Sequence, residues 1–225
     1  MKTQVDQYRR LEIAGGLSTI IFPFLLLIGF LLHPDILSFD IVEHAEQLVL
    51  NFRHQPIFHI GHTIVAFSIP LIVLSVLYVL LVLKGRGARC GFWGGMIALF
   101  GAVILALDKG SLCLVLSGFD TLDDAQFAGL IPYLQVLVDK RGLLVINWFI
   151  VLLPLGAIIQ AIGLVRENFI GRVQGVSVIM GLVLLNNPDI ELISTAGVIL
   201  MMAGYLPLGI NILRKGYIGT PSLDA

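Results

Sequence analysis

Residues 57–83 read IFHIGHTIVAFSIPLIVLSVLYVLLVL, a run without a single Asp, Glu, Lys or Arg. About 20 residues of this kind are needed to carry a helix across the hydrocarbon of a bilayer, where a helix alone satisfies its own backbone N–H and C=O groups within one segment. Five further stretches repeat the pattern, at approximately 12–33, 91–113, 143–165, 170–187 and 191–213, of which 170–187 is the shortest. The expectation is an all-α fold, a polytopic membrane helix bundle of six transmembrane helices, forming a single integral membrane domain over residues 1–225. The composition agrees: 57% of the chain is hydrophobic and 13% charged, with mean hydropathy +0.96. A soluble chain carries roughly 25% charged residues, so about half the usual polar covering is missing and lipid must supply the rest.

The flanks of the runs set an orientation, because basic residues favour the cytoplasmic side. With the N-terminus inside, Lys2, Arg9, Arg10, Lys84, Arg86, Arg89, Arg166, Arg172, Arg214 and Lys215 fall inside, whereas Arg53, Lys109, Lys140 and Arg141 fall outside. All five histidines then gather at the outer side. The expected location is the cell membrane, multi-pass, with both termini cytoplasmic. The first apolar run is longer than a secretory signal core and lacks a small-x-small cleavage site, so it reads as a retained span. Net charge is −1, which argues against a nucleic-acid partner. Cys90 and Cys113 lie near opposite ends of one expected helix, and a disulfide framework is excluded.

Two longer breaks, 34–56 and 114–142, read as outer amphipathic helices. In the first, Asp40 and Glu43 resemble a capping box, and Ile41, Ala45, Leu48 and Phe52 share a face. In the second, Thr121 and Asp124 stand where caps would, Phe127, Leu130, Ile131 and Leu134 form the apolar face, and Pro132 predicts a bend. Such moments suit helices that rest on the bundle or at the interface. A shift of 80 residues superposes Gly15 on Gly95, Gly95 on Gly175, Gly101 on Gly181 and Phe39-Asp40 on Phe119-Asp120, which suggests a tandem hairpin repeat. The glycines fit close helix packing better than ligand binding.

One polar layer recurs near the outer ends of the runs. His59 and His62 are three apart and share a helix face, His33 closes the first run, Asp108 and Lys109 interrupt the third, and Asn147 opens the fourth. Asn186, Asn187, Glu191, Ser194 and Thr195 extend the layer to the last two. Ionisable groups in membrane helices usually face the bundle interior or water. The candidate ligand-binding residues are therefore His33, His59, His62, Asp108, Lys109 and Asn147, and His59 with His62 are the candidate metal ligands. No cofactor is specified: His-x-x-His is a short signal, and HExxH, Glu-x-x-His, a Cys/His cluster, a P-loop and a nucleophile elbow are all missing from the sequence.

Arg10-Leu11-Glu12-Ile13-Ala14-Gly15-Gly16 before the first run, the long outer loop after it, and Gly204-Tyr205-Leu206-Pro207-Leu208-Gly209 followed by Arg214-Lys215 carry a resemblance. In these features the chain resembles a bacterial family of uncharacterised six-helix integral membrane proteins. The resemblance implies the layout and transfers no activity or site residue. Three functions stay open on the sequence. One is binding of a small ligand, a lipid or a metal in an outward-facing polar pocket lined by His and Asp. Another is a membrane-embedded metal- or haem-dependent enzyme. The last is a structural or regulatory subunit of a membrane complex. The expected partners are membrane lipids, with a homo-oligomer or a second membrane protein as the further alternative.

Overall fold

The long apolar runs are helical in the computed structural model, which describes residues 2–187 and 190–218. Helix α1 spans Lys2–Leu31, α2 Ala45–Phe52, α3 Pro56–Val82 and α4 Ala88–Leu107. A π-helical turn, Asp108–Leu112, joins α4 to α5 (Cys113–Phe119); α6 is Asp124–Ala128 and α7 Ile131–Val138. The 3₁₀ segment Gly142–Val151 then leads into α8 (Leu152–Arg166), followed by α9 (Arg172–Leu184) and α10 (Glu191–Lys215). Among the described residues five helices are long and apolar enough to cross a membrane: 6–31, 56–82, 88–119, 142–166 and 191–215.

The fifth expected span departs from its prediction. Instead of filling 170–187, α9 has 13 residues, about 20 Å of helix against a hydrocarbon core of about 30 Å. The asparagines after it explain the early stop. The Asn186 amide donates to the Leu182 carbonyl at 3.4 Å and that of Asn187 to the Leu184 carbonyl at 2.7 Å, while the Asn187 carbonyl oxygen accepts from the Ile190 N–H at 2.8 Å. Side chains thus take over carbonyls that a longer helix would use itself.

The five long apolar elements and the shorter α9 close into a ring in chain order: α1 packs on α3, α3 on α4, α4 on α8, α8 on α9, α9 on α10, and α10 returns to α1. Lipid tails are as apolar as leucine, so what holds such helices together is close backbone approach at small residues. On the α4–α8 seam a Cβ on Gly156 would lie 2.2 Å from the Ala98 nitrogen, and one on Gly101 would lie 2.0 Å from the Leu153 nitrogen. The 80-residue correspondence has a structural counterpart. Gly95 and Gly175 each face the preceding helix, at Leu80 and Val165, while Gly101 and Gly181 each face the returning helix of their own hairpin. Gly15 breaks the rule by facing Tyr78 of its own hairpin partner.

Both amphipathic breaks form helices that pack on each other over one end of the ring, with different caps from those expected. The first helix starts at Ala45, where Gln47 Oε1 accepts from the N–H groups of Glu43 and His44 at 2.8 and 2.9 Å. In the second break, Asp123 caps α6 through the Gln126 N–H at 2.8 Å. Pro132 sits in the first turn of α7 and starts that helix rather than bending it. Ala45, Phe52, Phe58, Leu116, Phe127 and Leu134 form a small core beneath this lid. Arg53 clamps it: its guanidinium donates to the carbonyls of Asp120 (2.8 Å) and Leu122 (2.7 Å), pairs with Asp124 at 3.2 Å, and lies 4.3 Å over the Phe127 ring.

At the opposite end the buried Glu12 carboxylate accepts from the Tyr78 hydroxyl and from the backbone N–H groups of Tyr217 and Ile218. The chain after α10 turns back onto it through Gly216, whose φ of +66° suits glycine. Burial, and then the Glu12 charge, push the Tyr217 hydroxyl above its usual range.

Candidate functional site

Under the lid lies a chamber of about 190 Å³. Its walls include His33 from the end of α1, Asn51 from α2, His62 from α3, Asp108 and Lys109 from the π turn, Asn147 from the 3₁₀ segment and Glu191 from α10. Five of the six expected site residues therefore share one space. The sixth, His59, sits a turn away from it. Its Nε2 lies 3.3 Å from Asp120 Oδ2, inside the lid clamp, so it supports the roof rather than the chamber.

Local backbone geometry aims the charged groups. The π turn, in which the Cys113 N–H reaches the Asp108 carbonyl, inserts an extra residue into the third span and widens it where Asp108 and Lys109 leave; such turns concentrate at functional sites. Asp108 is held twice, by the Lys109 ammonium at 3.0 Å and by the Asn147 amide at 2.9 Å. Lys140 follows α7 in the left-handed region, at φ +49°, an unfavourable region for a residue with a Cβ. The turn places its ammonium 4.2 Å over the Trp148 ring, at the chamber wall.

On the other wall, Asp35 accepts from the His33 Nδ1–H and from the Asn51 amide at 2.8 Å. The second nitrogen of His33 lies 3.7 Å from Glu191 Oε1. His62 donates from Nδ1 to the Phe58 carbonyl at 2.9 Å, and its ring lies 4.1 Å from that of Phe58 and 5.3 Å from that of His33. The side chains of His33, Asp35, Asp108, Lys109 and Glu191 are 12–22% exposed, enclosed enough for charge to be felt and open enough to stay solvated. Lysines, carboxylates and imidazoles thus face one small space. No group of three or more His, Cys, Asp or Glu that could hold a metal ion occurs among the described residues, and His59 and His62 serve different neighbours.

Sequence reading missed Asp35, Asn51 and Lys140. Asp35 follows His33 by two residues, a visible hint; a left-handed lysine and a π turn leave no trace in composition or periodicity. It also missed what lies below. A larger cavity, about 500 Å³, runs from Lys109, Lys140, Asn147 and Glu191 into the ring, past Leu105, Val76 and Ala157. Its floor is Gln160, 2% exposed, whose amide donates to the carbonyls of Val76 (3.1 Å) and Gly91 (3.3 Å) and ties α8 to α3 and α4. The four mouth residues line both spaces, so chamber and shaft lie next to each other and share these side chains.

No protein-family model, curated protein or solved structure matches the chain.

Proposed function

We propose that this multi-pass membrane protein binds a small polar ligand, or the polar head of a larger one, in the chamber beneath the lid. The lid faces the outside of the cell membrane and both termini face the cytoplasm. The supporting observation is the convergence of His33, His62, Asp108, Lys109, Asn147 and Glu191, drawn from five separate elements, on one enclosed space of about 190 Å³. Paired opposite charges suit a head that is itself zwitterionic or a neutral hydrogen-bonding group, since an isolated ion would leave one partner set unsatisfied.

Thermal unfolding of the purified protein with added phosphocholine or glycerol tests the reading. A ligand that binds only the folded state stabilises it in proportion to its occupancy. Stabilisation by at least one of these probes, reduced in Asp108→Asn, is expected; no shift with either of them up to high millimolar concentration would overturn it. Orientation is tested separately, by impermeant thiol labelling of intact cells: His44→Cys is expected to react and Arg86→Cys to be spared.

A second reading, a membrane-embedded enzyme, is favoured by one arrangement. His33 is oriented by Asp35 through Nδ1 and presents Nε2 to the chamber, the layout of a general base. An activity that follows a single ionisation and disappears in His33→Gln, while phosphocholine stabilisation persists, would select this reading over simple binding.

A further inference from the structure

The ring is not equally tight all round. In the fourth span, residues 142–166, every buried residue lies in the second half, from Pro154 onward. Its outer part is the extreme: not one residue from Gly142 to Leu153 is buried. Packing there is on α4, and of the fourth span's two halves it is α8 that makes the substantial contact with α9. Because α9 ends at Leu184, the seam between the 3₁₀ segment and α9 has little among the described residues to close it. The shaft is lined on both sides of that seam, by Trp148, Ile150 and Val151 on one edge and by Leu182 and Leu185 on the other. Ten residues of 3₁₀ helix are themselves unusual, since such runs rarely exceed 3–4 residues and a stretch inside a span often marks a hinge.

We infer that the shaft takes the hydrocarbon chain of a single-chain bilayer amphiphile, which slips in sideways between the 3₁₀ segment and α9 and leaves its polar head in the chamber. The inference rests on the binding reading above and names its ligand class. Size supports it. From the level of Asn147 to Gln160 the shaft is roughly 20 Å deep by helical rise, somewhat more than the roughly 15 Å of one leaflet's hydrocarbon. A cavity of about 500 Å³ falls within the range of small-molecule sites, ~300–1,000 Å³. The walls are apolar from Phe30 and Leu105 down to Val79 and Met201, with polar groups at the mouth and Gln160 and Ser75 at the bottom. A water-soluble polar ligand would have no use for that depth, and a chain already dissolved in the bilayer need not cross water to reach it.

The test uses the full chain in phosphatidylcholine vesicles doped with lysophosphatidylcholine that carries a mid-chain diazirine, followed by irradiation and mapping of adducts by mass spectrometry. Adducts are expected on Val76, Leu105, Ala157 and Leu182 and should be competed by unlabelled lysophosphatidylcholine. Adducts confined to hull positions such as Phe67, Phe100 and Val176 would overturn the inference, and stabilisation by free phosphocholine would still stand for the chamber; loss of both signals would remove the chamber reading as well. Val151→Trp probes the side route. Val151 is 42% exposed in a segment with no buried residue, so the larger ring does not overpack the fold. At least a tenfold fall in shaft adducts is expected, and an unchanged yield would overturn sideways access.

Discussion

The two halves of the fourth span make the most instructive contrast in the molecule. Leu152–Arg166 buries Pro154, Gly156, Ala157, Gln160, Ala161, Gly163 and Leu164, whereas Gly142–Val151 buries nothing. The unpacked half is the more hydrophobic by sequence: beyond its first residue, GLLVINWFIV holds only large side chains and one asparagine, while LLPLGAIIQAIGLVR is studded with Gly and Ala. In water the greasier segment would be the more buried. In lipid, apolar area drives no association, and shape decides. Small residues let the lower half sink against α4; the upper half has none beyond Gly142 and stays unburied beside the shaft.

The largest expected effect comes from abolishing the tight half. Gly156→Ala places a methyl 2.2 Å from the Ala98 nitrogen and 2.4 Å from the Gly94 carbonyl oxygen. Both are backbone atoms that cannot swing aside, so the α4–α8 seam must separate. Overpacking typically costs 1–3 kcal/mol, and here about 3 is expected, read as lost thermal stability in mild detergent. A neutral outcome would mean that the seam is looser than its glycines imply.

Next comes the lid, which covers the open half and is held by polar contacts. Arg53→Ala removes hydrogen bonds from a guanidinium that is 10% exposed to the carbonyls of Asp120 and Leu122. Bonds to a charged donor are worth roughly 1.5–3 kcal/mol, so a loss of about 2 is expected. Hydrogen exchange should report it at Phe127 and Leu134 before the amides of α4 and α8 respond. Simultaneous exchange throughout would show that lid and ring unfold as one unit.

Acid should loosen the same roof by a smaller amount. Burial raises the Asp120 carboxyl, but the His54 N–H at 2.8 Å and the His59 ring outweigh it and hold the group below its ordinary value. A carboxylate depressed in the folded state adds stability above its unfolded value of about 3.9 and loses it as pH falls through the folded one. Lid exchange should therefore quicken below about pH 4 in the native protein and lose that component in Asp120→Asn. An acid response that persists unchanged in the variant would assign it to another group.

How much of this was legible depends on which physics wrote it. The long apolar runs and the lid helices could be read because burial in lipid or on a bundle imposes a run length or a period. The layer of His33, His62, Asp108, Lys109 and Asn147 could be read because polar and ionisable residues stand out in an apolar run. His59 was misplaced by rotation about the helix axis: residues three apart differ by about 60°, and Asp120, distant in sequence, captured its ring. The short α9 was half legible, in Asn186 and Asn187. The shaft was not legible at all, because an empty space is fixed by where neighbouring helices fail to touch, and large apolar residues read alike whether they face lipid, a partner helix or a void.

The smallest expected effect addresses that blind spot directly. Leu143 is 83% exposed and Val145 52%, so in the unpacked half each should accept Ala within about 0.5 kcal/mol, as surface positions do, in contrast to Gly156 less than a span away. Thermal unfolding of Leu143→Ala and Val145→Ala in detergent measures this. A loss above about 1 kcal/mol would mean that these side chains are packed in the purified protein, against a second copy or another membrane helix. Concentration dependence of the loss would then separate the two, and a helix seated there would close the side of the shaft and turn the open half of the span into an interface.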